Sequence, residues 1–138
     1  MKIMAIDYGA VRTGVAVSDY MGILASPVCV INETNRKKLI EKIAQLSIEH
    51  KAEKILVGLP KNMDATEGKS AQNCRLLAKE IALKTGVEVL LTDERNTTKS
   101  ASLYLNQTDT RGKKRKEVID AVAATIILQA YLDSSLNK

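Results

Sequence analysis

The chain of 138 residues has no tryptophan, no phenylalanine, four tyrosines and a single histidine. Its core must therefore be assembled from Ile, Leu, Val, Ala and Met, and it offers little aromatic surface on which exposed bases could stack. One histidine rules out a convincing Ser-His-Asp set, and His50 is better suited to the negative end of a helix. The two cysteines, Cys29 and Cys74, stand in apolar contexts without Cys-x-x-Cys spacing. That pattern argues against a thiolate metal site and reads as two reduced core thiols of a cytosolic protein. No apolar run has the roughly 20 residues of a membrane span. A secretory leader pattern is also missing from the N-terminus, so a cytoplasmic location is expected. Neither G-x-x-x-x-G-K-[ST] nor G-x-G-x-x-G occurs, which removes the Walker and Rossmann phosphate loops.

What is present is an ordinary globular composition, 45% hydrophobic and 27% charged, with a formal net charge of +5. The excess leans towards acidic partners such as nucleic acid. "KIMAIDY" and "TGVAVSD" predict an antiparallel hairpin, and "ILASPVCVIN" a third strand with Pro27 marking an edge or a bulge. "TNRKKLIEKIAQLSIEHK" predicts a helix with Leu39, Ile43 and Leu46 on one face. "KILVGLP" and "VEVLLTD" read as buried strands. Between them "KNMDATEG" is a polar loop and "EGKSAQNCRLLAKEIALKTG" a helix ended by Gly86. "TTKSASLYLNQ" predicts a short helix capped by Thr97, and "KEVIDAVAATIILQAYLDSS" an apolar helix packed deep on the sheet. The expectation is one α/β domain over residues 1–138. It has a mixed five-stranded sheet, three antiparallel strands followed by two parallel ones, with helices on both faces.

Acidic residues interrupt otherwise apolar surroundings at three places in the chain. Asp7 ends the first strand, Asp93 and Glu94 close the last, and Asp120 lies in "EVIDAVAATIIL". The carboxyl ends of neighbouring parallel strands form the usual ligand crevice of an open α/β sheet. Acids brought together there repel one another unless a hard cation such as Mg²⁺ or Mn²⁺ neutralises them. Two such ions could activate water and stabilise the leaving oxygen of a phosphodiester. Taken singly, Asp120 would suit the first turn of a helix, and "DER" would suit a solvated loop with Arg95 paired to an acid.

Four blocks in order, "IDYGAVRTGVAVSD", "VGLPKNMDATEG", "TDERNTT" and "VIDAVAATIILQAYL", resemble the YqgF family of pre-16S rRNA nucleases and Holliday-junction-resolvase-like proteins. The resemblance implies a ribonuclease H-like fold and a metal-dependent nuclease in which Asp7, Glu94 and Asp120 are catalytic and hold Mg²⁺ or Mn²⁺. Arg12 would contact phosphate or fix the first loop. Gly9, Asn62, Thr66 and Glu67 would shape the cleft. Asn96 and Ala65 depart from the family pattern, where Leu and Gly are usual, without removing a carboxylate. Asp93 stays open between a supporting acid and a partner for Arg95.

"TRGKKRKEV" places Arg111, Lys113, Lys114, Arg115 and Lys116 immediately before the helix bearing Asp120. Alone, such a run is a solvated stretch. Beside a metal-phosphate site, it and Arg95 would hold a nucleic-acid backbone without reading sequence. Structured RNA, most simply pre-rRNA on a ribosomal particle, is favoured over a DNA junction. A junction resolvase would need two symmetry-related sites, so both a monomer and a homodimer stay open. Two further readings compete: a non-catalytic rRNA-binding assembly factor, and a phosphatase related to actin-like ATPases. The latter normally needs two lobes where this chain has room for one.

Overall fold

Alternating apolar residues over the first 32 positions build three antiparallel strands, β1 (Ile3–Asp7), β2 (Arg12–Ser18) and β3 (Ala25–Asn32). Two further strands, β4 (Lys54–Leu59) and β5 (Glu88–Asp93), add in parallel on the other side of β1. The sheet order is β3-β2-β1-β4-β5. The computed structural model describes residues 1–59, 68–93 and 112–136, with side chains placed over 1–59, 68–92 and 122–134. Three helices are described: α1 (Arg36–Glu49), α2 (Lys69–Thr85) and α3 (Gly112–Leu136). The polar loop at 61–68 falls almost wholly outside the described residues, and the short helix expected from Thr97 lies outside them altogether.

Local chemistry explains the element ends. Asn35 caps α1 by accepting the Lys38 N–H at 3.0 Å, and His50 closes it. Gly86 ends α2 with φ 73°, a left-handed conformation that glycine adopts without the clash a Cβ would bring. Pro27 meets both sequence expectations. It lies on an edge strand, where its missing N–H matters least, and at a register shift in which Cys29 and Pro27 face consecutive residues Val15 and Ala16.

The two faces of the sheet carry different cores. Met4, Ile6, Val15, Ile55 and Val57 project towards α1 and α2, where they meet Leu39, Ile43, Leu77 and Ile81. On the other face Ile3, Ala5, Ala16 and Leu56 meet Ala124, Leu128 and Leu132 of α3. Small Ala5 and Ala16 let α3 lie close on the central strands. Its side-chain stripe repeats every four residues, as helix geometry requires.

The far half of α3 is tied to the amino edge of the sheet. The Gln129 side chain accepts the Ala25 N–H at 2.9 Å and donates to the Ile23 carbonyl at 2.9 Å. Lys54 Nζ donates to the Tyr131 hydroxyl at 3.4 Å and lies 5.9 Å from that ring's centre. The helix therefore runs back along the strands, and its first half lies towards their carboxyl ends.

Three expectations need correction. β5 is an edge strand with half-buried side chains, because no sixth strand is described beyond it. Cys29 is half-buried on edge strand β3, whereas Cys74 is buried on the inner face of α2; neither forms a disulfide. Residues Lys113–Lys116 do not precede the last helix. They lie inside its first turns, since α3 begins at Gly112.

Candidate active site at the carboxyl edge of the sheet

Asp7 is the last residue of β1 and pairs in register with Gly14 of β2. Alternation along β1 gives Asp7 the side of the sheet occupied by Ile3 and Ala5, the face covered by α3. The side chain is half-buried. Arg12 begins β2, and alternation with Gly14 and Ala16 places it on the same face. Gly9 and Ala10 lie in the short link between the two strands. The β1–β2 turn thus presents a carboxylate and a guanidinium on one side of one sheet edge.

Asp120 reaches that edge by another route. It lies four residues before Ala124, in line with the Ala124–Leu128–Leu132 stripe. Counting back from Gln129 at the amino edge, the helix rises about 13 Å to Asp120. Along β1 the rise from Ile3 to Asp7 is also about 13 Å. By these ideal rises the two backbone positions lie at a similar height above the amino edge, on the α3 side of the sheet. Asp120 is two turns into α3, beyond the first turn, so complementing the helix dipole does not account for it.

The parallel register puts Leu59 opposite Asp93 and Gly58 opposite Thr92. With Ile6 opposite Val57, Asp7 stands level with Thr92 across β4, about 10 Å away by strand spacing. Leu90 packs towards α3, whereas Val89 and Leu91 pack towards α1 and α2. Asp93 shares the odd-numbered parity of the second pair. Glu94, with Arg95, Asn62, Thr66, Glu67 and Arg111, falls outside the described residues. Among the described residues no group of three or more His, Cys, Asp or Glu side chains could hold a metal ion. The donors on offer at this edge, Asp7 and Asp120, are carboxylates, whose oxygens suit a hard divalent cation.

Two features escaped the sequence reading. The Thr13 side chain is fully buried, and its hydroxyl has no hydrogen-bond partner among the described residues. Its pairing with Ile31 puts it on the α1–α2 face, next to Arg12 in the chain but on the opposite side of the sheet. A hollow of ≈ 160 Å³ opens at the same edge, lined by Tyr8, Gly9, Ala10, Ser70, Asn73 and Cys74. Ser70 and Asn73 look in sequence like any solvated helix positions, so no local signal could have singled them out.

No described helix is long and apolar enough to cross a membrane. A family model described as "RuvX: Holliday junction resolvase" matches residues 1–134. A relative from Listeria monocytogenes serovar 1/2a, named "Putative pre-16S rRNA nuclease", is 43% identical over 98% of this chain and 99% of its own. One of the same name from Clostridioides difficile strain 630 is 41% identical over 99% of this chain and 97% of its own. Among solved structures, Thermus thermophilus RuvC superimposes with a TM-score of 0.62 at 13% identity, over 99% of this chain and 97% of that one. The fowlpox virus resolvase bound to a Holliday junction gives 0.62 at 12%, over 99% of each chain. At such identities the likeness is one of fold, and it bears out the ribonuclease H-like architecture. Matched in sequence from the first strand to the last helix, the chain belongs to the RuvX family.

Proposed function

We propose that residues 1–138 act as one cytoplasmic nuclease domain that hydrolyses phosphodiester bonds in structured RNA, with the 5′ end of pre-16S rRNA as its substrate during ribosome assembly. What supports this reading is the similar height of the Asp7 and Asp120 backbone positions on the α3 side of the sheet. Family membership supports the nuclease class, and the relatives' names support the RNA.

Asp7, Glu94 and Asp120 would hold Mg²⁺ or Mn²⁺ through carboxylate oxygens. Such ions, when bound, supply charge stabilisation at the phosphate oxygens and a more acidic water. The chain itself does the positioning. Arg12, from the α3 face of β2, would pair with a phosphate through its forked donors. Lys113, Lys114, Arg115 and Lys116 crowd the positive end of α3, which has no acidic residue in its first turn. Cations there repel the helix dipole, and a phosphate would relieve that repulsion.

The deciding experiment incubates the full chain and Mn²⁺ or Mg²⁺ with a 5′-extended 16S rRNA fragment and with a four-way DNA junction. Cleavage of the RNA that disappears in Asp7→Asn and Asp120→Asn, with RNA binding retained, is the expected result. Full activity in Asp7→Asn overturns the mechanism. Cleavage confined to the junction would support the family model's description instead. Tight RNA binding without cleavage, unaffected by either substitution, would favour an assembly factor.

A further inference from the structure

Helices α1 and α2 carry eight basic residues against three acidic ones. Their net charge of +5 equals that of the whole chain, so everything outside the two helices sums to zero. This excess lies on the face of the sheet opposite α3.

Between the same helices run two adjoining hollows that share Lys84. The first, ≈ 350 Å³, is lined by Lys37, Ile40, Glu41, Glu80, Leu83 and Lys84. The second, ≈ 390 Å³, continues past Ile48 to Lys51 and Thr85. Leu83 is 79% exposed and Ile48 76% exposed, although both sit on helices whose other apolar residues are mostly buried. An Arg36–Glu80 ion pair at 3.2 Å links α1 to α2 beside the first hollow.

Lys51 adds a second sign of use. Its φ of 53° is the left-handed conformation usually left to glycine. Hydrogen bonds from Lys51 to the Ile48 carbonyl and from Ala52 to the Ser47 carbonyl hold it there, at the end of the groove. A strained lysine at an exposed helix terminus keeps a cation where glycine would be more comfortable.

We propose that the α1–α2 groove docks an acidic, amphipathic segment of a protein partner. Its apolar side chains would cover Leu83 and Ile48, and its carboxylates would meet Lys37, Lys51 and Lys84. A polyanion fits less well. The exposed aliphatics gain nothing from a sugar–phosphate backbone, and neither helix has an aromatic residue for bases. A second copy of this chain fits less well again, since it would face +5 with +5.

The test is amide chemical-shift mapping on the full chain. Its probes are a helical peptide of about four turns with leucine at every third or fourth position and glutamate elsewhere, a scrambled peptide of the same composition, and a short RNA duplex. The helical peptide should move α1 and α2 amides, while the scrambled one does not. Leu83→Asp and Lys84→Glu should each weaken the peptide by about tenfold or more. Lys51→Gly should weaken it while raising the melting temperature, which a merely structural lysine would not do. Nuclease activity of these variants should stay at the level of the unsubstituted chain, because none lies at the carboxyl edge. An RNA duplex that moves the same amides and displaces the peptide, or a peptide that moves none of them, overturns the proposal.

Discussion

The backbone of Gly9 runs so close to the carbonyl oxygen of Arg12 that a Cβ at position 9 would overlap it. This contact lets β1 turn into β2 within four residues and sets Asp7 and Arg12 on one face of the sheet. A close approach of two backbone segments is the reason for glycine at this position. Gly9→Ala should therefore destabilise the fold by about 1–3 kcal/mol through overpacking. It should also lower nuclease activity more than RNA affinity, because the turn spreads while the rest of the surface is unchanged. Denaturant unfolding and single-turnover cleavage check the two halves separately.

Leu128 is fully buried between α3 and the central strands. Leu128→Ala should cost about 2–5 kcal/mol and loosen α3, which carries the proposed ligand Asp120. Urea unfolding measures the first effect. Below the new midpoint, a loss of cleavage that extra Mn²⁺ partly restores would show the second.

Gln129 satisfies two backbone groups of the β2–β3 turn region, the Ile23 carbonyl and the Ala25 N–H. Gln129→Ala removes both bonds and should cost about 1–3 kcal/mol. Gln129→Glu keeps the acceptor but sets a carboxylate oxygen against the Ile23 carbonyl and the Asp133 carboxylate, so at neutral pH a drop in melting temperature at least as large is expected.

Asp19 accepts the N–H groups of Ile23 at 2.7 Å and Leu24 at 3.2 Å, and these bonds hold its carboxyl below its ordinary value near 3.8. A carboxylate with a lowered folded-state pKa stabilises the fold above its unfolded pKa, and the gain is lost as pH falls through the folded value. Asp19→Asn should make stability less dependent on pH below about 4 and leave the slope at neutral pH untouched. Melting temperatures across an acid titration would show it.

Neutralising Lys113, Lys114, Arg115 and Lys116 should flatten the salt dependence of RNA binding. Each lost phosphate contact removes about 0.7–0.9 from the slope of log K against log salt. The same substitutions should leave unfolding free energy equal or higher, since they relieve repulsion at the positive end of α3. An unchanged slope would mean that the run stays clear of the backbone.

The strands and their order of chemistry were legible in the sequence because period-two alternation, the Asn35 cap and the Gly86 terminator are local signals. Asp7 stood out for a local reason too, a charge between an apolar strand and a glycine-bearing turn. Its relation to Asp120 was not local. Nothing in "EVIDAVAATIIL" says whether an aspartate heads a helix or lies two turns inside it. Only the packing of the Ala124–Leu128–Leu132 stripe against Ala5 and Ala16 fixes its level on the sheet. The edge position of β5 was hidden for the same reason: "VEVLLTD" has the composition of a buried strand, and only the tertiary arrangement leaves its outer side without a partner strand among the described residues. Charge behaves likewise. The sequence determined that the chain is basic by five, but only the pairing of α1 with α2 gathered that whole excess onto one face, since charges far apart along a chain become neighbours only when helices pack.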